Sequence, residues 1–291
     1  MGLFDFFRKK DDVAKEMKEL ESIHKAGLHT VNDVRDKILQ KTAVPCMKLE
    51  LTDTRPGLFD SKVGGIGYVP HDGQIPRDSD CGELRLLAQI DCTQITLEDF
   101  PHQGLLQFWI LNNDVYGLDF ENNTRQNTFR VLYYKDVDKT VTEDEVRAKM
   151  QSDTADDDCY FPVFNCYRLA FSAEIDTISA CDCHFDDRIT ELVRKYYPDE
   201  ADDLLDDPTD FEDENKNGFG HKIGGYPGFT QWDPRSEDDI HEVLLFQLDS
   251  EFGGGEDKIL WGDAGICNFF ISRENLRRCD FSDVIYNWDC C

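Results

Sequence analysis

The fold is decided by a stretch that reads KIGGYPGFTQWDPR at 222–235, VLLFQLDS at 243–250 and ILWGDAGICNFFI at 259–271. Each block has an upstream counterpart: KVGG begins at Lys62, LLAQID begins at Leu86, and GLLQFWI begins at Gly104. The three counterparts keep the same order at a nearly constant separation of about 160 residues. Collinear matches of this kind indicate an internal repeat, and so long a period indicates two sheet-bearing halves rather than a solenoid.

The repeat predicts an α+β fold with mainly antiparallel sheets in two pseudo-repeated halves. The halves are expected at about 43–198 and 215–291, joined by the acidic segment 199–214 as a solvated linker or exposed loop. Residues 1–42 are expected to form a helical N-terminal extension. Strand-like segments dominate and show no regular alternation with helices, which favours antiparallel pairing over a doubly wound sheet.

Local patterns place several elements. Val34, Ile38 and Leu39 recur at helical spacing and predict a helix over about 32–39, after an earlier one that begins near Val13. The apolar run 105–111 predicts a strand, as do the segments 83–90, 129–134 and 162–173. Ser272 is expected to cap a short helix that ends near 278.

The composition is strongly acidic. The chain of 291 residues has 60 acidic and 31 basic side chains and a net charge of −29. Such a surface repels nucleic acid and anionic membranes, because both are bound through Lys and Arg. It would attract a basic protein, unless the acidity serves only solubility. The oligomeric state does not follow from the sequence.

Cysteine content and hydropathy predict a compartment. The eleven cysteines are odd in number, and the N-terminus has its charges after the short apolar run, the reverse of a secretory signal. No stretch approaches the roughly 20 apolar residues that span a bilayer. We therefore expect a cytoplasmic protein with free thiols and no stable membrane insertion.

The repeated blocks resemble the YwqG-like family, a bacterial domain of unknown function. The resemblance covers roughly residues 45–290, and its most specific parts are GGYP at 224–227 and WGDAG at 261–265. It implies an α+β fold with internal duplication. The family brings no established catalytic residues, so the resemblance implies none here. The first half departs from the usual pattern at GYVP, residues 67–70.

Equivalent amides in the two apolar strands suggest a candidate ligand site. Gln89 and Gln247 are each followed two residues later by an acid, Asp91 and Asp249. Such amides could line a cleft between the halves, where ligand pockets often form, or each could tie down a neighbouring loop. The candidate set is completed by Trp232, Trp261 and Asp263. The paired glycines could cradle a ligand or could serve only as turns.

Other chemical motifs are incomplete. The cluster Cys181-Asp182-Cys183-His184 lacks the second spaced pair of a structural zinc site, and the calcium-like segment 213–218 has Gly224 where a bidentate Glu is needed. No Gly-x-Ser-x-Gly motif is present, so catalytic residues stay unknown. The sequence predicts no metal and no cofactor, and it leans against an enzyme without excluding one.

The leading functional hypothesis is therefore a non-catalytic acidic protein that binds a basic partner, with an immunity-type or antitoxin-like inhibitor as one concrete form. Its basis is the net charge of −29, which speeds association with cationic partners through long-range attraction. The alternative is a small-ligand-binding protein or hydrolase with its site between the two halves, near Gln89, Gln247 and Trp261.

Overall fold

The computed structural model describes residues 29–151, 160–212, 218–253 and 255–291. The chain divides into two compact units, one drawn from 1–43 with 177–217 and the other from 44–176 with 218–291. The first unit is helical in its described part, and the second contains the sheet. The helix expected near Val13 lies outside the described residues.

The second unit is built on one antiparallel sheet of ten strands. They are β1 (Val44–Thr52), β2 (Lys62–Val63), β3 (Leu84–Asp91), β4 (Leu105–Leu111), β5 (Phe129–Tyr134), β6 (Tyr167–Asp176), β7 (Lys222–Gly224), β8 (Val243–Asp249), β9 (Ile266–Ile271) and β10 (Val284–Asp289). The strand order is β10-β9-β8-β7-β1-β6-β2-β3-β4-β5. Two short helices, α2 (Glu143–Lys149) and α5 (Arg273–Arg277), lie in the connections.

The predicted α+β fold with two repeated halves is wrong. The long strands β1 and β6 pair along nine residues, from Val44↔Asp176 to Thr52↔Arg168. β1 also pairs with β7, and β6 also pairs with β2, so the hydrogen-bond ladder continues across the expected boundary. The helices α2 and α5 of this unit are short, and the sheet encloses most of its apolar side chains by curling.

The curled sheet forms a nearly closed barrel. Phe129 on β5 and Tyr286 on β10 lie at opposite edges of the strand order, yet their ring centroids are 5.2 Å apart. Inside, Phe108 stacks on Phe246 at 4.6 Å and contacts Phe269 at 4.8 Å. In a small barrel, side chains fill the interior. These stacked rings belong to a continuous hydrophobic core inside the barrel.

The outer face of the barrel is also covered in part. Leu84, Leu86 and Trp109 project outward from β3 and β4 and pack against Tyr68 and Val146, among others, in a second cluster. Strands buried on both faces read as continuous apolar runs rather than alternating ones. This double burial explains why the segments 84–90 and 105–110 are so uniformly hydrophobic.

The helical unit contains α1 (Val31–Gln40), α3 (Phe185–Tyr196) and the short α4 (Ala201–Leu204), followed by a 3₁₀ helix at Pro208–Phe211. The predicted helix near 32–39 is thus confirmed as α1, and it buries the expected Val34, Ile38 and Leu39. An amphipathic helix of this length depends on such packing, since short helices are marginal in isolation.

Candidate functional site

Gln89 is the centre of a saturated hydrogen-bond network. Its side chain is fully buried. Its Oε1 accepts from the backbone N–H of Tyr68 and from Gln107 Nε2, both at 2.8 Å. Its Nε2 donates to the carbonyls of Leu58 at 2.8 Å and Asp60 at 3.0 Å. The amide therefore holds the segments on both sides of β2 against β3 and has no remaining capacity for a ligand.

Gln247 makes the matching set of contacts on β8. Its Oε1 accepts from Gly228 N and from Asn268 Nδ2, both at 2.9 Å. Its Nε2 donates to the carbonyls of Gly218 at 2.8 Å and Gly220 at 2.7 Å. Among the described residues these contacts share no member with those of Gln89. Each amide ties down its own loop, and the two do not line a common cleft.

The glycine pairs are turns imposed by sterics. Gly65 and Gly225 have φ values of +72° and +73°, in the left-handed region where side chains are strained. A Cβ at Gly65 would lie 2.5 Å from Cys166 Sγ, and one at Gly225 would lie 2.5 Å from Asp176 Oδ2. The backbone therefore approaches these two side chains more closely than any other residue type allows.

Two buried lysines accompany these turns, and sequence reasoning missed both. Lys62 pairs with Gln89 across β2 and β3, and its Nζ donates to the carbonyls of Gly57 (2.7 Å), Leu58 (3.1 Å) and Ile66 (2.7 Å). Burial lowers the pKa of Lys62 to about 8. Lys222 is equally buried, and its Nζ meets Asp176 Oδ2 at 2.9 Å. The sequence signal was a lysine two residues before each Gly-Gly pair.

Asp91 lies at the end of β3 and is half-exposed. Its Oδ1 accepts from Thr93 N at 3.1 Å and Thr93 Oγ1 at 2.8 Å, which caps the 3₁₀ helix Cys92–Gln94. It also borders an open depression of about 350 Å³ that includes Lys135 and Lys139. The depression lacks the apolar, concave lining typical of small-molecule sites.

Asp249 belongs to a different set of titratable groups. Burial raises the pKa of its carboxyl, which accepts from Gly220 N at 2.7 Å. Its backbone N–H donates to His221 Nδ1 at 3.0 Å. Because Nδ1 accepts, the ring proton is placed on Nε2, which donates to Glu251 Oε2 at 3.0 Å. Glu251 Oε1 also accepts a hydrogen bond from Lys258 Nζ at 2.7 Å.

This chain of contacts stabilises a carboxylate rather than preparing a catalytic base. The hydrogen bond from His221, aided by the one from Lys258, lowers the pKa of Glu251 to about 2. A general base at neutral pH needs a pKa nearer the working pH. Both nitrogens of His221 are engaged within the protein, so the imidazole does not face a substrate position.

The three remaining candidates are not brought together as one site. Trp261 is fully buried and contacts Tyr116 edge-on at 5.5 Å and Trp288 at 6.3 Å. Trp232 is 71% exposed, and Asp263 is also on the surface. Trp261 is therefore a core residue, whereas the other two are available only to surface partners.

The acidic segment, expected as a solvated linker or exposed loop, contains two short helices. Ala201–Leu204 form α4 and Pro208–Phe211 form the 3₁₀ helix, and Ala201, Leu204 and Phe211 are buried. The other side of the segment is exposed. We name this surface the acidic face and define it by the exposed residues Asp199, Asp202, Asp203, Asp206, Asp207, Asp210 and Glu212.

Metal-ligand side chains converge at one place in the described part of the chain. Single ligand atoms of Asp182, Cys183 and His184 lie within 4.8 Å of one another in the turn before α3. Most of the calcium-like segment 213–218 lies outside the described residues. The described helices include none long and apolar enough to cross a membrane.

These features define an antiparallel barrel protein with two buried amide networks and a helical unit that carries an acidic face. The chain belongs to the DUF1963 family, a domain of unknown function, whose profile matches residues 61–290. A search of curated proteins finds no match.

Proposed function

We propose that this chain is a non-catalytic binding protein that uses the acidic face to engage a basic protein partner. The observation that carries the proposal is the acidic face itself: residues 199–212 contain eight acids and no base, and seven of the acids are exposed. An immunity-type or antitoxin-like inhibitor of a cationic protein is one concrete form. The finer resemblance to YwqG-like proteins is part of this proposal and adds no activity to it.

The folded scaffold strengthens the argument from net charge. Leu204 and Phe211 anchor the acidic face, so the backbone that carries its carboxylates is folded before any partner arrives. Preorganised charge lowers the ordering cost of binding, whereas a disordered acidic tail must lose that entropy on association. Arg35, a neighbouring base, donates its Nε to the backbone carbonyl of Asp210 at 2.9 Å.

The charge of the face also predicts how binding proceeds. Clustered charge of one sign accelerates encounter with an oppositely charged partner by about 10- to 1,000-fold at low salt. Surface charges are screened within about 10 Å at ~0.1 M salt. Association with the partner should therefore be fast at low ionic strength and should slow steeply as salt is added.

The alternative of a small-ligand site or hydrolase between the halves has less support. Gln89 and Gln247 were its central residues, and each uses all four of its hydrogen bonds on nearby loop backbone and one neighbouring strand side chain. A binding site needs polar groups that remain available to the ligand. We therefore favour the interaction function.

The test begins with capture from lysate on the immobilised full chain at low salt, with elution at ~0.5 M salt, where surface charge is heavily screened. The captured basic protein is purified, and its association rate is measured against a face variant and a matched control. The face variant is Asp202→Asn/Asp203→Asn/Asp206→Asn. The control is Asp72→Asn/Glu98→Gln/Asp114→Asn, which removes the same charge from exposed positions in the barrel unit.

We expect the face variant to slow association about tenfold at low salt, and the control to change it less than about twofold. Equal slowing by both variants would assign the effect to net charge and overturn the role of the face. Binding that is insensitive to salt, or a folded chain that captures no basic protein, would overturn the proposal as a whole.

A further inference from the structure

A second, independent site lies in the turn that leads into α3. His184 is the N-cap residue of this helix, and Asp182 and Cys183 come directly before it. The sequence argued against a metal here because it lacks two spaced cysteine pairs. The fold changes that argument, since three different ligand types from consecutive residues are folded towards one point.

The distances fit a small tetrahedral coordination sphere. Cys183 Sγ is 3.3 Å from His184 Nδ1, and the same Nδ1 is 3.1 Å from Asp182 Oδ1. Zinc bonds of about 2.0–2.3 Å at tetrahedral angles separate sulfur from nitrogen by about 3.6 Å and nitrogen from oxygen by about 3.3 Å. If each of these two observed distances lengthened by about 0.3 Å, the three side chains would therefore accommodate the ion.

The arrangement does not suit a catalytic relay. In a cysteine–histidine–carboxylate relay the two ring nitrogens have different partners, one towards the thiol and one towards the acid. Here Cys183 and Asp182 both approach Nδ1 of His184, on the same side of the ring. Atoms that converge on one side of an imidazole nitrogen are placed as ligands of a shared cation.

Burial and backbone geometry favour a defined site. The Asp182 side chain is 6% exposed, and that of His184 is 38% exposed. The backbone N–H of His184 donates to Asp182 Oδ1 at 2.9 Å, which holds the carboxylate in the turn. The buried carboxylate supplies rigidity, while the more exposed imidazole leaves a route for an ion and for a solvent ligand.

We propose that Asp182, Cys183 and His184 form a mononuclear site for a divalent transition metal of the zinc class. A sulfur, a nitrogen and a carboxylate oxygen match the preferences of Zn²⁺ and Co²⁺, whereas Ca²⁺ and Mg²⁺ require oxygen ligands. The fourth position is filled by water. As the metal–sulfur bond forms, the Cys183 thiol loses its proton to solvent, so affinity rises with pH.

The test uses Co²⁺ as a spectroscopic probe on the full chain without a histidine tag. Thiolate coordination gives a sulfur-to-cobalt charge-transfer band that carboxylates and imidazoles alone do not give. The variants are Cys183→Ser and His184→Gln. The matched control is Cys181→Ser, which removes a neighbouring thiol outside the cluster.

We expect the wild type and Cys181→Ser to bind one equivalent of Co²⁺ with the thiolate band, and Zn²⁺ to displace it. Cys183→Ser should lose the band, and His184→Gln should weaken affinity at least about tenfold. Excess Zn²⁺ should raise the Tm of the wild type and of Cys181→Ser but not that of Cys183→Ser, because a ligand that binds only the native state stabilises it.

Circular dichroism of each metal-free variant shows whether the fold is kept. A wild type without the thiolate band would overturn the proposal. A band reduced equally by Cys181→Ser and Cys183→Ser would also overturn it, because it would place the cobalt at other cysteines. The test is independent of the acidic-face proposal, since it involves no protein partner.

Discussion

Gln89 on β3 and Gln107 on β4 face each other across the strand ladder, and their side-chain amides are joined by a hydrogen bond of 2.8 Å. Gln247 on β8 and Asn268 on β9 repeat this relationship at 2.9 Å. The interior penalises an unpaired polar group. Both amide groups of the first pair are fully hydrogen-bonded, whereas Asn268 Oδ1 in the second pair accepts no hydrogen bond from the described residues. The two pairs hold loops onto the barrel.

Replacing one of these amides should be costly. Gln247→Leu removes the partner of four buried groups, among them Gly228 N and Gly218 O. Because each buried group left without a partner costs about 1–3 kcal/mol, we expect a loss of roughly 4 kcal/mol in the free energy of unfolding. Urea denaturation measures it. Trp232→Ala, at a 71% exposed position, should change the free energy by less than about 0.5 kcal/mol. A loss below about 1 kcal/mol for Gln247→Leu would contradict the structural role.

Glycine-to-alanine substitutions can separate the cost of backbone strain from the cost of steric overlap. Gly65→Ala combines a φ of +72° with a Cβ only 2.5 Å from Cys166 Sγ, and should destabilise by about 3 kcal/mol. Gly220→Ala has a φ of +92° but open space around the new Cβ, so strain alone should cost about 1 kcal/mol. Gly255→Ala meets neither condition and serves as the control. Thermal unfolding should rank the three in that order, and a different order would refute the assignment.

Lys62 should make stability depend on alkaline pH. Burial lowers its pKa from 10.5 to about 8, so between these values the unfolded chain holds a proton that the folded chain has released. Stability from this group therefore rises as pH increases through about 8 to 10.5. Across that window the free energy of unfolding of the wild type should rise by up to about 3 kcal/mol relative to that of Lys62→Met. Taking the difference between the two proteins cancels the other alkaline titrations, and a flat difference would contradict the prediction.

Glu251 should make stability depend on acidic pH. Its pKa falls from 4.5 to about 2 because His221 and Lys258 donate hydrogen bonds to it. Its contribution to stability is present above pH 4.5 and is lost as pH falls through about 2. Glu251→Gln should therefore flatten the acid limb of the stability curve, as followed by urea unfolding between those pH values. The exposed Glu98→Gln should leave that limb unchanged, and equal effects of both would argue against the His221 contact.

Local sequence was sufficient to predict many secondary-structure elements of this protein. The run 105–111 predicted β4 at the observed bounds, and Val34, Ile38 and Leu39 predicted the buried face of α1. Ser272 caps α5 as expected, with its side chain accepting from Asn275 N. These features depend on neighbours within a few residues, so side-chain pattern and capping chemistry determine them.

The candidate site was predictable only in part. The sequence singled out Gln89 and Gln247 as buried amides in apolar strands, and both are buried. It left two interpretations open, a ligand cleft or a loop tie, because the partners of Gln89 lie between 18 and 31 residues away in the chain. Composition also could not show that Leu204 and Phe211 turn inward while the acids between and around them stay exposed.

The sequence by itself determined several strands and the charge of the surface, since each follows from local side-chain pattern or from simple composition. Only the tertiary structure decided that β1 pairs with β6 more than 100 residues later, which joins all ten strands in one barrel. It also decided that Leu204 and Phe211 are buried beneath the acidic face. The reason is physical: strand pairing and burial depend on which distant groups of the chain meet once the core has closed, and no local pattern encodes that choice.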